Sequence, residues 1–134
     1  MANVTITNVD NGAVEIDGAI CHDEIVNFAG GDTYKKGTIL ARDTVTDKLI
    51  PYVKGGNTNG DGVPRAVLTY ELTRSAAGDE YARVLVAGHV NRERLVIHAD
   101  GDASNVDEVV LDLLRAQAIV CSPVDQLTNI DNPQ

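Results

Sequence analysis

The amino-acid sequence predicts a β-rich α+β fold: a small single domain of mixed-sheet or barrel-like strands with one main C-terminal helix. Three observations lead to this class. The chain has 134 residues, of which 43% are hydrophobic, and this suits one domain with its own core. Short apolar runs rich in Val, Ile and Leu alternate with turns rich in Gly, Asn, Asp and Pro. Apolar residues recur at helical spacing only in one late stretch.

The N-terminal segment has the alternation of a β-strand. Val4 and Ile6 share one face, and the pattern slips by one residue near Val9. The step Asn11-Gly12 interrupts the run before the alternation resumes, which is a local signal for a hairpin. An extended arm that gains a strand partner only on binding has the same propensity, so both interpretations remain open.

A glycine-rich block, Phe28–Ala41, comes next. Gly30 and Gly31 predict a turn with positive φ, and Gly37 predicts a tight start to an apolar strand over residues 38–41. A further strand is expected over residues 48–54, with Pro51 favouring an edge or a bend. Residues 55–62 are expected to form a loop.

The second half of the chain predicts strands followed by one helix. Residues 66–73 and 81–90 are expected to pair through a turn near Gly78, and residues 95–98 to form another short strand. Ser104 is the expected helix N-cap, with Asp107 three residues later. The apolar face of this helix is predicted to contain Val106, Val109, Val110, Leu113 and Leu114. A returning strand over residues 118–121 completes the domain.

Composition argues against several classes of function. The net charge of −9 repels phosphates, and only 4% of the residues are aromatic, so neither backbone binding nor base stacking favours nucleic acid as a partner. No apolar run is long enough for a membrane span. Two cysteines without a signal peptide predict synthesis in a reducing cytoplasm.

Motifs for chemistry are weak throughout. Residues 57–62 match the first half of a calcium loop, but position twelve is Leu68 instead of a carboxylate. The acidic cluster Asp100–Ser104 is better explained as a turn with a helix cap. His22, His89 and His98 lack metal-ligand spacing, although the last two could meet across strands. We therefore expect a protein that is not an enzyme, with no catalytic residues, metal site or cofactor.

Two segments carry a resemblance to a known family. The block Phe28–Ala41 and the strand Val84–Asn91, interrupted by Gly88, resemble the head decoration proteins of tailed bacteriophages, the family of the lambda capsid-stabilising protein. The resemblance extends from about Phe28 to Val120. It implies a trimer that sits at local three-fold positions on the outside of the expanded head, clamps the major capsid protein and resists the pressure of packaged DNA.

The resemblance also implies a division of the chain. Residues 1–27 are predicted to be a capsid-binding arm or hairpin, and residues 28–134 a trimer-forming body. The capsid-binding residues are expected to be Ala2, Asn3, Val4, Thr5, Ile6, Thr7 and Asn8. The trimer contact is expected near Tyr34, Tyr52 and Leu95. The partners would be the major capsid protein and further copies of the chain, with no direct nucleic acid or membrane contact, on the outer surface of a virion assembled in the host cytoplasm.

Two alternatives compete with this prediction. Other virion components, such as tail tube or head-completion proteins, are also β-rich and assemble into rings. A small metal-dependent hydrolase would use the acidic loops and a histidine, and would require bound metal.

Overall fold

The strands are organised around the two longest, β1 (Glu15–Phe28) and β7 (Gly78–Asn91), in a computed structural model that describes residues 15–122. The shorter strands are β2 (Asp32–Tyr34), β3 (Ile39–Arg42), β4 (Leu49–Pro51), β5 (Pro64–Leu68), β6 (Leu72–Arg74) and β8 (Ile119–Ser122). A 3₁₀ turn, Arg92–Arg94, follows β7, and the helix α1 (Glu108–Arg115) precedes β8.

Five of the strands close into a barrel-like ring. The main sheet has the order β1-β4-β3-β5-β7-β8, and β1 also pairs with β7, so that β1, β4, β3, β5 and β7 form a circuit. The contacts between β1 and β4 and between β7 and β8 are parallel, and the others are antiparallel, so the sheet is mixed. Strands β2 and β6 form a separate two-stranded ribbon. The predicted fold class, a β-rich single domain with one main helix, is confirmed.

The pairing between β1 and β7, which closes the ring of five strands, is irregular at one end. The register between these strands shifts three times between Glu15 and Cys21 and is regular from Cys21 to Phe28. Such shifts bend and twist a strand, as a ring of few strands requires. Gly88 has φ +123° and lies where β7 changes its neighbour from β5, which pairs at Leu85, to β8.

Two apolar clusters cover opposite faces of the central strands. On β3, Ile39 and Ala41 belong to the cluster that includes the helix, whereas Leu40 belongs to the cluster that includes Phe28. A strand buried on both faces has a continuous apolar run instead of an alternating one. This burial explains the uninterrupted apolar sequence from residue 39 to residue 41.

Some predicted strands have different limits or partners. The expected strand over residues 66–73 is two strands, because β5 ends at Leu68 and β6 pairs with β2. Gly78 begins β7 instead of forming a turn before it. Residues 95–98 form only isolated bridges, from Val96 to Thr38 and from Ile97 to Asp102. The strand expected over residues 48–54 is shortened to β4, which ends at Pro51.

The helix was predicted correctly in place but not in its start. Asp107, not Ser104, is the N-cap, and its Oδ1 accepts a hydrogen bond from the backbone N–H of Val110 at 3.2 Å. The backbone N–H of Ser104 instead donates to Asp102 Oδ1 at 2.9 Å, which places Ser104 in the preceding turn. The buried residues of the helix are Val110, Leu111 and Leu114, while Val109 and Leu113 are exposed. The apolar face is therefore rotated from the predicted one.

Candidate functional site

An aromatic stack holds the glycine-rich block together. The rings of Phe28 and Tyr34 are stacked with centroids 4.1 Å apart, and His98 meets Tyr34 edge-on at 4.7 Å. His98 Nε2 lies 2.7 Å from Asp32 Oδ2, which ties the β2–β6 ribbon to the segment after the 3₁₀ turn. The stack fixes the block to the barrel.

The two kinds of glycine in the block serve different purposes. Gly37 has φ +92°, and a β-carbon there would overlap the backbone carbonyl of Arg94, so both conformation and space require glycine. Gly31 allows close approach, since a β-carbon would lie 2.7 Å from the carbonyl oxygen of Ser75. The expected positive φ at Gly30 and Gly31 is wrong, because neither residue lies in the left-handed region. Gly31 and Gly37 therefore shape the backbone of the block.

Two ionisable groups of the block, Tyr34 and Asp32, each keep one protonation state near pH 7. Burial raises the pKa of Tyr34 to about 12, so its phenol stays neutral at ordinary pH. The backbone N–H of Thr33, and then His98, lower the pKa of Asp32 from 3.8. A neutral phenol beside an ionised carboxylate stabilises a structure but provides neither an acid nor a base poised near pH 7.

The residues predicted at the trimer contact are buried within the chain. Tyr34 is 4% exposed, Tyr52 1% and Leu95 0%. Tyr34 packs in the cluster with Phe28, whereas Tyr52 and Leu95 pack in the cluster with the helix. Their side chains have almost no surface to present to a second copy, and the trimer contact near them stays a prediction.

The predicted capsid-binding residues, 2–8, lie outside the described residues. The first described residue, Glu15, pairs with Val90 of β7, and Ser122 pairs with Asn91 on the opposite side of that strand. The two terminal segments therefore adjoin the barrel at the same end of β7. Residues 15–27 of the predicted arm lie in β1 and form part of the barrel wall, and their capsid-binding role stays a prediction.

The loops considered for metal binding use their carboxylates internally. Asp61 Oδ1 accepts a hydrogen bond from the backbone N–H of Thr58 at 3.0 Å. Hydrogen bonds from the side chain and the backbone of Ser104 hold the pKa of Asp102 below 3.8. Between residues 15 and 122, no group of three or more His, Cys, Asp or Glu is placed to hold a metal ion.

The histidines and cysteines are separated. His89 Nε2 lies 2.6 Å from Ser122 Oγ, while His98 pairs with Asp32, so the two histidines do not meet. Cys21 and Cys121 form no disulfide. Burial raises the pKa of the Cys121 thiol to about 11, which keeps it protonated and poorly nucleophilic.

A groove of about 590 Å³ lies beside β1 and the loop after β3. Its charged residues partly neutralise one another, since Arg42 Nη1 is 3.2 Å from Glu24 Oε1 and also donates to the backbone carbonyl of Asp47 at 2.7 Å. Arg65 donates to the side-chain oxygen of Gln117 at 2.9 Å. None of the helices in the described part of the chain is long and apolar enough to cross a membrane.

Sequence reasoning missed an exposed aromatic site. Three of the five aromatic residues are buried, and the remaining two, Tyr70 and Tyr81, are 43% and 72% exposed. Tyr70 Oη accepts a hydrogen bond from the backbone N–H of Arg83, two residues after Tyr81, so both tyrosines lie near one point of β7. Burial of Ala82 and Val84 by alternation already indicates that Tyr81 faces outward.

Comparison with protein families identifies the chain. The family described as bacteriophage lambda head decoration protein D matches residues 5–119, which is most of the sequence. The chain belongs to this family. A comparison with curated protein sequences gave no match. The match confirms the resemblance inferred from the glycine-rich block and from the strand with Gly88.

Membership gives the decoration protein its general role. It is a capsid-associated structural component of a phage virion, in a family that is not known for enzymes. The matched span begins within the predicted arm, at Thr5, and ends at the first residue of β8, Ile119. The family match therefore includes both the barrel and most of the N-terminal segment.

Proposed function

We propose that this decoration protein binds as a trimer to the outside of the expanded phage head, at local three-fold sites, and stabilises the shell against the pressure of packaged DNA. Its partners are the major capsid protein and two further copies of itself. It is made in the host cytoplasm and remains on the outer surface of the capsid. The family match over residues 5–119 is the observation that carries this proposal.

The division of the chain supports a binding arm. Alternation over residues 4–7 suits strand addition to a sheet edge, in which backbone hydrogen bonds give affinity and alternate side chains give register. These residues precede β1, which begins beside Val90 at one end of β7. An arm that starts from a closed barrel can reach a neighbouring surface without opening the barrel.

Trimer formation would make weak arm contacts effective. When one arm is bound, the other two arms of the trimer are held close to their own sites, so their binding becomes intramolecular. Avidity of this kind can exceed a single-site affinity by about 10² to 10⁴. A short strand-forming segment could therefore secure a trimer on a repeating shell.

Removal of the arm provides the test. Deleting residues 2–11 should abolish binding to expanded heads, measured by co-sedimentation, while analytical ultracentrifugation still finds a trimer. A control deletes the six residues 129–134 at the other terminus, most of which are polar, and this variant should bind as the intact protein does. Unchanged shell affinity after deletion of residues 2–11 would refute the arm assignment. An intact protein that is monomeric, or that forms six-membered rings, would refute the trimer.

A further inference from the structure

The exposed face of the β1–β7 ladder has an apolar centre with a polar rim. In the regular part of the ladder, Ile25 lies opposite Tyr81, and one step further along the same face Asp23 lies opposite Arg83. The intervening Ala82 is buried on the other face. Together with Tyr70, which contacts Arg83, these residues are called the Tyr81 patch.

The composition of this patch is that of a protein–protein contact. Tyrosine and arginine are enriched at the centres of interfaces, where they supply much of the binding energy. Tyr81 is 72% exposed in a chain with only five aromatic residues, three of which are buried. Tyr81 adjoins Ile25 and Tyr70, and such a group of apolar side chains on one surface is typical of an interaction site.

The charges around the patch indicate a second copy of the same chain as that partner. Neither Asp23 nor Arg83 makes an ion pair with any residue in the part of the chain that the structure describes. Beyond them, Asp79 is paired with Lys48 at 2.7 Å. The charges of Asp23 and Arg83, and those of Asp79 and Lys48, therefore cancel beside Tyr81, and Glu71 next to Tyr70 adds one negative charge. On a chain of net charge −9, like-charged copies repel less where charges cancel. With a cation and an anion on the same patch, Arg83 of one copy can pair with Asp23 of the next around a closed ring.

The edge of β7 beside the patch is closed to strand addition. Thr69 Oγ1 donates to the backbone carbonyl of Arg83 at 2.7 Å, and Tyr70 Oη accepts from its N–H at 3.3 Å. A little further along, Arg74 Nη1 donates to the backbone carbonyl of Asp79 at 3.1 Å. Side chains that occupy these backbone groups leave few for an incoming strand. A contact here uses side chains, unlike the strand addition proposed for the arm.

We propose that the Tyr81 patch is the surface through which copies of this decoration protein contact one another. The inference rests on the proposed function, in which copies form a trimer. In each contact Tyr81 packs against the neighbouring copy, and Arg83 of one copy meets Asp23 of the next.

The test compares two aspartate substitutions at equally exposed positions. Tyr81→Asp should weaken self-association by about 30-fold or more, the loss expected for a central aromatic contact, as measured by sedimentation equilibrium over a range of concentrations. Val45→Asp is the matched control, because Val45 is 73% exposed in a loop and the substitution introduces the same negative charge as Tyr81→Asp. Circular dichroism establishes that the Tyr81→Asp barrel remains folded.

Exchange of the charges at residues 83 and 23 provides a second test that does not depend on Tyr81. Arg83→Asp alone should weaken association, and adding Asp23→Arg in the same chain should restore it. A trimer that Tyr81→Asp leaves at wild-type affinity, or a double exchange that fails to restore association, would overturn the assignment. Loss of shell binding with an unchanged trimer would make the capsid protein the occupant instead, which also overturns it. A monomeric wild-type protein would reject the proposed trimer itself.

Discussion

Replacing Gly37 by alanine tests whether the glycine-rich block is a backbone device. Gly37 has φ +92°, and its added methyl group would overlap the backbone carbonyl of Arg94. The residue is also fixed by two backbone hydrogen bonds, because its N–H donates to the carbonyl of Leu68 at 2.8 Å and its carbonyl accepts from Val96 at 2.9 Å. The chain cannot relieve the overlap without displacing at least one of these partners.

The expected cost follows from the strain and the overlap. A non-glycine residue at positive φ costs about 1–2 kcal/mol. Loss of one of the two hydrogen bonds as the backbone shifts adds about 1 kcal/mol. Gly37→Ala should therefore reduce the free energy of unfolding by about 2–3 kcal/mol, a large share of the stability of a domain of this size.

Substitutions at two other glycines separate the cost of backbone strain from the cost of the overlap with Arg94. Gly55 has φ +74° but open space around it, so Gly55→Ala should cost only the strain of about 1–2 kcal/mol. Gly30 has neither positive φ nor a neighbour within 4 Å, and Gly30→Ala should be neutral or stabilise the protein by about 0.5 kcal/mol through the unfolded chain.

Urea unfolding followed by circular dichroism measures the series. All variants are compared at one protein concentration, since self-association stabilises the folded state by mass action. Similar m-values would show that the same surface unfolds in each variant. If Gly37→Ala costs no more than Gly55→Ala, the close approach of Arg94 does not constrain the backbone, and the reasoning is refuted.

Three further predictions concern the helix cap, acid sensitivity and thiol reactivity. Asp107→Ala should lower the thermal midpoint by about 4 °C, and Ser104→Ala by clearly less; equal effects would contradict the N-cap assigned by the structure. The pKa of Asp79 is held below 3.8, chiefly by a lysine hydrogen bond, so its contribution to stability is present above about pH 4 and is lost as the pH falls through the lowered value. Urea midpoints at pH 7 and pH 3 should therefore differ less in Asp79→Asn than in the wild type. An unchanged difference would show that Asp79 does not contribute to the loss of stability in acid. Cys121, with a pKa of about 11, should react at pH 8 with a thiol reagent about 100-fold more slowly than free cysteine, in a variant lacking the other cysteine; equal rates would mean that its burial is not maintained.

The fold class was predictable because its signals are local. The uninterrupted apolar run of β3, the break at Pro51 and the helical spacing over residues 106–114 each depend on neighbouring residues only. Strand partners depend on distant residues. The residues of β6 continue the apolar pattern of β5, and only pairing with β2, some forty residues earlier, separates the two strands.

The helix start shows how tertiary contacts decide between two acceptable caps. Ser104 and Asp107 are both good N-cap residues by type and position. Asp102 binds the backbone of Ser104 within a turn, and Lys54 Nζ lies 2.7 Å from Asp107 Oδ2. A lysine fifty residues away is not visible to a local pattern, so the start of the helix was predicted three residues early.

The burial of the residues predicted near the trimer contact has a related reason. Apolar character led to Tyr34, Tyr52 and Leu95, but a domain poor in aromatic residues uses such side chains to fill its own core. An interface requires large apolar residues that the fold leaves outside. Tyr81 meets this condition: alternation with the buried Ala82 and Val84 turns it outward, and the ladder sets it opposite Ile25.

The positions of the two proposed surfaces explain how one small barrel can serve two partners. Tyr81 lies nine residues along β7 from Val90, a distance of roughly 30 Å at the usual rise of a strand. Glu15 and Ser122, the first and last described residues, both lie at the Val90 end of β7, away from the Tyr81 patch. Under the two proposals, copies contact one another at the patch, while the shell contact starts from the other end of β7.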